Sequence, residues 1–402
     1  MCSSQRRLSP QVWLIAMIAL AVGALVFKLH MALTTYGTND VLYWERFLSS
    51  IKALGGIGTY HAIWYFNHPP FMVYALRIMD KLASLSGIFF PFWLRLPAIV
   101  CDLGSLVLVY RILKAQSGAT YSRPALALMA IAPASIMISG FHGNTDSAMI
   151  FFLLLSVFLI DRVPFAWLAG IALGMSMNIK VVPLMFMPAF FFYLPCWRKR
   201  FEFFGAAAAF VCLSWMPYIA QDPHIIWQRV FGYGGIYGHW GLSRLLFGPQ
   251  PMYFLWQTYA VVGKYLTLLT VVAIAFWLNR PPRKTPLFLQ CGFIAFTFLT
   301  LTPGFGVQYL VWLVPWVVAL GVLPSLLYLT ASGVFLFLVY NFWSQSFPWF
   351  LANSDQVGDW RGYIVDFEIL CWSSVAVVCI IFLRTLIKAR RAESSSRIAA
   401  QD

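Results

Sequence analysis

The chain has 402 residues, of which 61% are hydrophobic and 10% are charged, and its mean hydropathy is +0.76. Soluble domains carry about a quarter charged residues, so this composition excludes an ordinary soluble fold and predicts a polytopic membrane protein. The formal net charge of +14 is spread over short loops and a tail, which favours contact with anionic membrane lipids and argues against a nucleic-acid partner.

Apolar runs recur along the chain at the length that membrane-crossing helices need. They predict an all-α fold of about twelve transmembrane helices, with residues 1–402 as one integral membrane domain. The first run is too long for a signal-peptide core and is expected to stay as an anchor. The predicted helices are 11–32, 91–113, 124–140, 147–160, 164–178, 181–195, 203–219, 257–279, 285–302, 307–322, 324–342 and 364–386.

The basic residues predict how these helices are oriented. With both termini in the cytoplasm, the inner loops and the basic tail at 387–402 receive most of the 28 Lys and Arg residues. The outer side then receives the long loops at 34–90, 220–256 and 343–363. Long loops carry function more often than short connectors, so we expect the reactive residues on the outer side.

The first outer loop follows the first apolar run with a short polar stretch that ends in Asp40. Asp40 is our first candidate for a catalytic base, although it is also a good N-cap for the helix that follows. Apolar residues at helical spacing predict an amphipathic helix over Val41–Leu54 that lies in the membrane interface. Asn67 and His68 precede a proline pair and are either substrate-binding residues or part of a helix cap and an aromatic belt.

Several polar residues fall inside the later predicted helices or at their ends. Arg95 and Asp102 lie about two turns apart on one helix face and are expected to pair with each other. His142 and Asp146 follow the third helix, where helix capping would explain Asp146 but not His142. Lys180 either snorkels to the surface or binds a phosphate group.

The next outer loop interleaves glycines with aromatic residues between Tyr233 and Arg244. Such a loop lets the backbone approach a flat polar ring such as a sugar, so Tyr237 and His239 are candidate substrate contacts. Arginine side chains offer bidentate partners for phosphate oxygens. The candidates of this kind are Arg229 and Arg244.

A further outer-facing helix begins near Gln308 and Tyr309, after a turn that contains two glycines. A helix N-terminus binds anions readily because its first backbone N–H groups have no partner within the helix. Gln308 and Tyr309 are therefore candidate substrate-binding residues as well.

Over most of its length the sequence resembles the type C glycosyltransferases, multispanning membrane enzymes that take a sugar from a polyprenyl phosphate. The similar segments are Phe141–Asp146, Asn178–Lys180 and Phe305–Tyr309, together with the overall pattern of the chain. The resemblance implies a hexosyltransferase, with mannose or glucose as the sugar and a lipid or glycan as the acceptor. It also implies a bacterial inner membrane with the active site on the periplasmic or extracellular side, and an acidic residue of the first outer loop, here Asp40, as the base.

Such a reaction needs one group that orients and deprotonates the acceptor hydroxyl, and others that stabilise charge on the departing phosphate. We expect Asp40 in the first role, with Asp146 as the next candidate. The expected phosphate partners are Lys180, Arg229, Arg244 and His142. A transporter or flippase of a lipid-linked sugar is the alternative, because many spans and buried charges are ordinary in that class as well.

The sequence offers little support for a metal or other cofactor. The first outer loop lacks an Asp-x-Asp motif, and the 7 cysteines show neither a disulfide framework nor zinc-like spacing. We therefore expect no certain cofactor, with a divalent metal left as an unsupported option.

Overall fold

The computed structural model describes residues 10–117, 122–232, 235–247, 252–280, 285–357 and 360–398. These residues are almost entirely helical, with two short two-stranded sheets. The first half contains α1 (Pro10–Thr34), β1 (Gly37–Thr38), α2 (Asn39–Ala62), α3 (Phe71–Ser86), α4 (Phe90–Ser117), α5 (Arg123–Ala130), α6 (Pro133–Met137), α7 (Asp146–Ile160), α8 (Ala166–Ile179), α9 (Met187–Tyr193) and α10 (Trp197–Ile219). The second half contains α11 (Pro223–Phe231), β2 (Ile236–Tyr237), α12 (Gly241–Leu246), α13 (Met252–Leu278), α14 (Leu287–Leu301), β3 (Gly304–Phe305), α15 (Val314–Val317), α16 (Val322–Trp343), β4 (Leu351–Ala352), α17 (Ser354–Val357) and α18 (Gly362–Ile398).

Within the described residues, 7 helices are long and apolar enough to cross a membrane. They are Gln11–Thr34, Phe90–Gln116, Arg123–His142, Trp197–Ile219, Met252–Leu278, Val322–Trp343 and Gly362–Arg391. Five shorter apolar helical segments are Asp146–Ile160, Ala166–Ile179, Val182–Tyr193, Leu287–Leu301 and Val307–Leu320. Each predicted span thus coincides with helical structure, but a 15-residue helix such as α7 rises only about 22 Å, less than the roughly 30 Å hydrocarbon layer. Twelve membrane crossings therefore stay a prediction.

Close helix packing in the core depends on small residues. Helix α8 packs against both α7 and α10. A Cβ atom at Gly170 would lie 2.1 Å from the carbonyl oxygen of Phe203, and one at Gly174 would lie 2.8 Å from that of Ala207. Two glycines spaced by one turn therefore let the backbone of α10 approach α8, in the manner of small-residue interfaces between membrane helices.

The loop predicted to be the first outer loop folds against the rest of the protein. The predicted helix over Val41–Leu54 is present as the first part of α2, which kinks at Gly55, where φ is 74°. Its buried face includes Val41 and Trp44 and joins a core cluster with residues of α3, α10 and α11. Strand β1 pairs in parallel with β4 and so connects the beginning of this loop to the last long loop. The interfacial position of α2 remains a prediction.

The expected pairing of Arg95 with Asp102 is wrong. Lys28 Nζ lies 2.9 Å from Asp102 Oδ2, and this buried ion pair joins α1 to α4. Helical side chains point towards the helix N-terminus, so Arg95 reaches back to the Pro91 carbonyl, 3.0 Å away, instead of forward to Asp102. The guanidinium also donates hydrogen bonds to the carbonyls of Ala32, Thr35, Gly140 and Phe141 and to the Thr35 hydroxyl.

Candidate functional site

A cavity of about 540 Å³ lies between α2, the turn after α6, the end of α8 and the segment that follows α14. Its volume is in the range of ordinary small-molecule pockets, about 300–1,000 Å³. The wall combines aromatic side chains, among them Tyr43, Trp44 and Trp312, with a small number of polar groups. The sequence-predicted site residues that line it are Asp40, Asn67, His68, His142, Lys180, His239, Gln308 and Tyr309.

Asp40 faces this cavity from the first turn of α2. Thr38 is the N-cap of the helix, and its Oγ1 accepts a hydrogen bond from the Asp40 backbone N–H at 3.3 Å. The alternative that Asp40 is the N-cap is therefore wrong. The Asp40 carboxylate is 28% exposed, and its Oδ2 lies 2.8 Å from Asn144 Nδ2 and 3.0 Å from His142 Nε2.

The charge state of Asp40 is set by opposing effects on its pKa. Burial, the largest effect, raises the pKa because it disfavours the charged form. His142, through the positive charge of a protonated ring and through its hydrogen bond, and then Lys180 and the hydrogen bond from Asn144, lower it. The lowering effects prevail, so the pKa of Asp40 lies below its ordinary value and the group is a carboxylate at neutral pH.

His142 reaches Asp40 because the chain changes its helical pitch after α6. Residues Ile138–His142 form a π-helical turn that ends at Gly143, where φ is 81°. A Cβ atom at Gly143 would lie 2.3 Å from Val41 Cγ2, so a glycine is needed for the turn to approach α2 so closely. The side chain of His142 is 3% exposed, and its Nδ1 lies 2.8 Å from the Tyr340 hydroxyl.

Lys180 and Asp146 form a second polar pair. Asp146 is fully buried beneath the cavity, and its carboxylate accepts hydrogen bonds from Lys180 Nζ at 2.7 Å and from Trp312 Nε1 at 2.6 Å. Thr145 precedes α7 as its N-cap, and the Asp146 side chain is engaged elsewhere, so capping does not explain this residue. Lys180 is 13% exposed and does not snorkel to the surface. An ammonium group has three donors, so Lys180 can hold Asp146 and still offer N–H groups to the cavity.

Asn67 and His68 line the cavity near α2. Helix α3 begins after Pro70 without a side-chain cap, so these two residues do not serve as its cap. The His68 ring lies against Trp44, with ring centroids 4.1 Å apart. Burial and, after it, the nearby Lys180 lower the pKa of His68 to about 3, so its imidazole is a neutral hydrogen-bonding group at neutral pH.

The structure does not bring Arg229, Tyr237 or Arg244 into the cavity wall. Arg229 Nε donates to the Tyr60 carbonyl at 3.0 Å. Arg244 lies 3.6 Å from the buried carboxylate of Glu368 on α18. Tyr237 pairs with Gly304 across β2 and β3. Arg229 thus joins α11 to α2, whereas Arg244 and Tyr237 hold the loop between Tyr233 and Arg244 in place. Tyr233 and Gly234 of that loop lie outside the described residues.

Three residues of this arrangement were not predicted as site residues. Asn144 lies inside the polar segment after α6, so its neighbours His142 and Asp146 could have indicated it. Tyr340 and Trp312 lie in apolar helical segments, where nothing in the sequence distinguishes them from core aromatics. In the ranges that the structure describes, no three His, Cys, Asp or Glu side chains are grouped as metal ligands.

Part of the chain is similar to a known protein family. Residues 67–227 match the family model described as dolichyl-phosphate-mannose-protein mannosyltransferase. The matched range is less than half of the chain. The match confirms the resemblance to type C glycosyltransferases, and its range includes His68, His142, Asp146 and Lys180, whereas Asp40 precedes it.

A relative from Bacillus subtilis (strain 168), named "Putative mannosyltransferase YkcB", is 30% identical over 168 residues. This similarity covers 35% of the present chain and 23% of the relative. The chain thus matches less than a quarter of the length of that curated protein.

Proposed function

We propose that this protein is a membrane glycosyltransferase that moves a hexose, mannose or glucose, from a polyprenyl-phosphate donor to a lipid or glycan acceptor at the outer face of the membrane. The match of residues 67–227 to the mannosyltransferase family model supports the reaction class. The observation that carries the proposal is the cavity itself, in which a partly exposed carboxylate, Asp40, and a paired ammonium group, Lys180, line the same wall.

Asp40 is the proposed base. Both hydrogen bonds from described side chains go to its Oδ2, which leaves Oδ1 for the acceptor hydroxyl. The acceptor oxygen forms the bond to the anomeric carbon, the bond from that carbon to the phosphate oxygen breaks, and the hydroxyl proton passes to Asp40. A single displacement of this kind inverts the anomeric configuration.

Lys180 is the proposed partner of the departing phosphate. Its pairing with Asp146 fixes the ammonium group before substrate arrives, and preorganised charge stabilises a developing anion without reorganisation. Neutral donors that line the same cavity, such as His68, Asn67 and Gln308, complete the site. Arg229 and Arg244 stand outside the cavity wall, so the proposal assigns Arg229 to the contact between α11 and α2 and Arg244 to the support of the loop between Tyr233 and Arg244.

A transfer assay tests the proposal. The detergent-solubilised protein is incubated with radiolabelled polyprenyl-phosphate mannose or glucose and with lipids extracted from membranes as acceptors. We expect labelled product in the absence of any membrane gradient, which a pure transporter cannot give. The Asp40→Asn variant should lose about a hundredfold or more of this activity, whereas Asp80→Asn, a change at the partner of the exposed Lys52, should remain active. The absence of product with both donors, together with gradient-dependent movement of the donor in vesicles, would favour the transporter.

A further inference from the structure

We infer that Tyr340 is a positioning residue that fixes His142 as a neutral imidazole with its proton on Nε2, and that His142 thereby holds the carboxylate of Asp40. The three side chains form a continuous line, with 2.8 Å between the Tyr340 hydroxyl and His142 Nδ1 and 3.0 Å between His142 Nε2 and Asp40 Oδ2. The hydrogen-bonding pattern rests on the structure alone, and its consequence for catalysis rests on the proposed function.

The inference follows from counting donors and acceptors. A neutral imidazole has one N–H donor and one acceptor nitrogen, and a phenol hydroxyl has one proton to donate. Tyr340 is fully buried in α16, and among the described residues its hydroxyl is hydrogen-bonded to His142. Asp40, as a carboxylate, can only accept. The tautomer must be inferred from these partners.

The Nε2–H tautomer satisfies every group. Tyr340 donates to Nδ1, and Nε2–H donates to Asp40. In the Nδ1–H tautomer, the lone pair of Nε2 would face the carboxylate, and the Tyr340 proton would have no acceptor among the described residues. A charged imidazolium would also leave that buried hydroxyl proton without an acceptor, and leaving a buried donor unpaired is costly.

This assignment changes the role expected for His142. Because its Nε2 is already a donor, His142 does not take the proton of the acceptor. A neutral ring also supplies no positive charge, so the hydrogen bonds from His142 and Asn144 and the charge of Lys180 keep Asp40 ionised, and the charge on the departing phosphate is left to Lys180. His142 instead orients Asp40 through Oδ2, as the partner group of a histidine commonly fixes ring and tautomer in other sites.

Nitrogen NMR of the full-length protein in detergent micelles tests the inference directly. Histidine is labelled with ¹⁵N, and the two ring signals of His142 are assigned by their loss in His142→Gln or, if that variant does not fold, by elimination with single variants of the other five histidines. We expect a protonated Nε2 and an unprotonated Nδ1 at neutral pH. A protonated Nδ1, in either the neutral or the charged ring, would overturn the inference.

The Tyr340→Phe variant keeps the ring and removes only the hydroxyl. We expect the Nδ1 signal to move towards the position of a protonated nitrogen, because the Tyr340 proton no longer occupies Nδ1 and a charged imidazolium, whose Nε2–H still faces Asp40, becomes possible. Tyr328→Phe is the matched control, since Tyr328 is an equally buried tyrosine of the same helix whose hydroxyl donates to the Leu310 carbonyl instead. An unchanged His142 spectrum in Tyr340→Phe would show that Tyr340 does not set the tautomer.

Kinetics separate positioning from simple support of the fold. In the transfer assay, Tyr340→Phe should lower kcat about five- to tenfold, as expected for one lost hydrogen bond, with an unchanged donor KM. Tyr328→Phe should change neither. The NMR result stands whether or not transfer is detected, so a failure of the proposed function and a failure of this inference are distinguishable.

Discussion

His142 Nε2 lies 3.0 Å from Asp40 Oδ2, although the two residues are 102 positions apart in the chain. Their segments are joined a second time where the Thr38 hydroxyl donates to the His142 carbonyl at 2.8 Å. The carboxylate therefore has a fixed orientation towards the cavity before any substrate binds, which is a requirement for efficient proton transfer.

Replacing Asp40 by Asn should lower turnover about a hundredfold or more. Asparagine keeps the size of the side chain and an acceptor oxygen for His142 and Asn144, but it cannot take a proton. Since Thr38 caps α2, the helix should be intact, which circular dichroism and thermal unfolding would check. Transfer at close to the parental rate by a folded Asp40→Asn protein would remove Asp40 from the mechanism.

The pH dependence of turnover should reflect the lowered pKa of Asp40. The same lowered pKa also affects stability. A carboxyl group whose pKa is lowered by folding raises the free energy of unfolding at pH values above its unfolded pKa, and this contribution is lost as the pH falls through its pKa in the folded protein. Turnover should thus lose its base only below the ordinary aspartate value of about 3.9. Asn144→Ala removes one lowering interaction, so the acid limb of kcat/KM should move to higher pH. No movement would mean that Asn144 does not act on the base.

Lys180→Met should weaken donor binding, but alone it is an ambiguous test. It would leave the buried Asp146 carboxylate without its charged partner, a change that typically costs about 3–5 kcal/mol of stability. The double variant Lys180→Met with Asp146→Asn removes both charges. We expect it to unfold at nearly the parental temperature and to show a donor KM raised at least tenfold, on the order of one lost charged hydrogen bond. A normal donor KM in the folded double variant would assign Lys180 to structure alone.

Much of the fold could be predicted because the apolar runs are long and regular. The predicted helix over 257–279, for example, corresponds to α13, and the helix expected after Asp40 corresponds to the first part of α2. Asp40, His142 and Lys180 could be selected because charged or polar residues at helix ends are rare in such a chain. Their location in one cavity wall is a property of the fold that no local pattern reveals.

Partner choice was the part that sequence could not supply. Arg95 and Asp102 share a helix face, yet Asp102 pairs with Lys28, which the first helix brings from 74 positions away. Arg229 and Arg244 were sensible phosphate ligands by residue type, but a backbone carbonyl and the buried Glu368 engage them. Tertiary packing decides which polar groups meet, and nothing in the spacing of these residues encodes it.

Arg95→Lys should destabilise the protein although the charge is kept. The guanidinium bridges carbonyls at the end of α1, such as Thr35, to Gly140 in the π-helical turn, and an ammonium group cannot match this fork. Loss of several of these bonds should lower the free energy of unfolding by about 3 kcal/mol or more. Arg77→Lys is a suitable control, because Arg77 donates a long hydrogen bond of 3.4 Å to the Ile51 carbonyl and, among the described residues, does not bridge several carbonyls as Arg95 does. Equal stability of the two variants would contradict this role for Arg95.

The orientation in the membrane can be tested at the two ends of α10, a helix of 23 residues. Cys196 is exposed directly before this helix, and Gln221 is exposed shortly after it. A Gln221→Cys substitution in the Cys196→Ser background should react with an impermeant thiol reagent in intact cells. Native Cys196 should react only after permeabilisation. The reverse pattern would invert the topology expected from the basic loops.

His68 should make the stability of the protein depend on pH. Its pKa is about 3 in the folded state, whereas a histidine in an unfolded chain has a pKa of about 6.5. Between these two pH values the unfolded chain binds more protons than the folded protein. The free energy of unfolding is therefore highest above about pH 6.5 and falls as the pH falls towards 3, by at most about 1.4 kcal/mol per pH unit.

His68→Phe keeps a ring against Trp44 but cannot titrate. Thermal unfolding between pH 4 and 7 should therefore show a smaller dependence on pH in this variant than in the parent protein. His224→Gln, a change at an exposed histidine of α11, should leave the dependence as it is in the parent. If His68→Phe and the parent lose stability equally on acidification, the pKa of His68 is not lowered by folding.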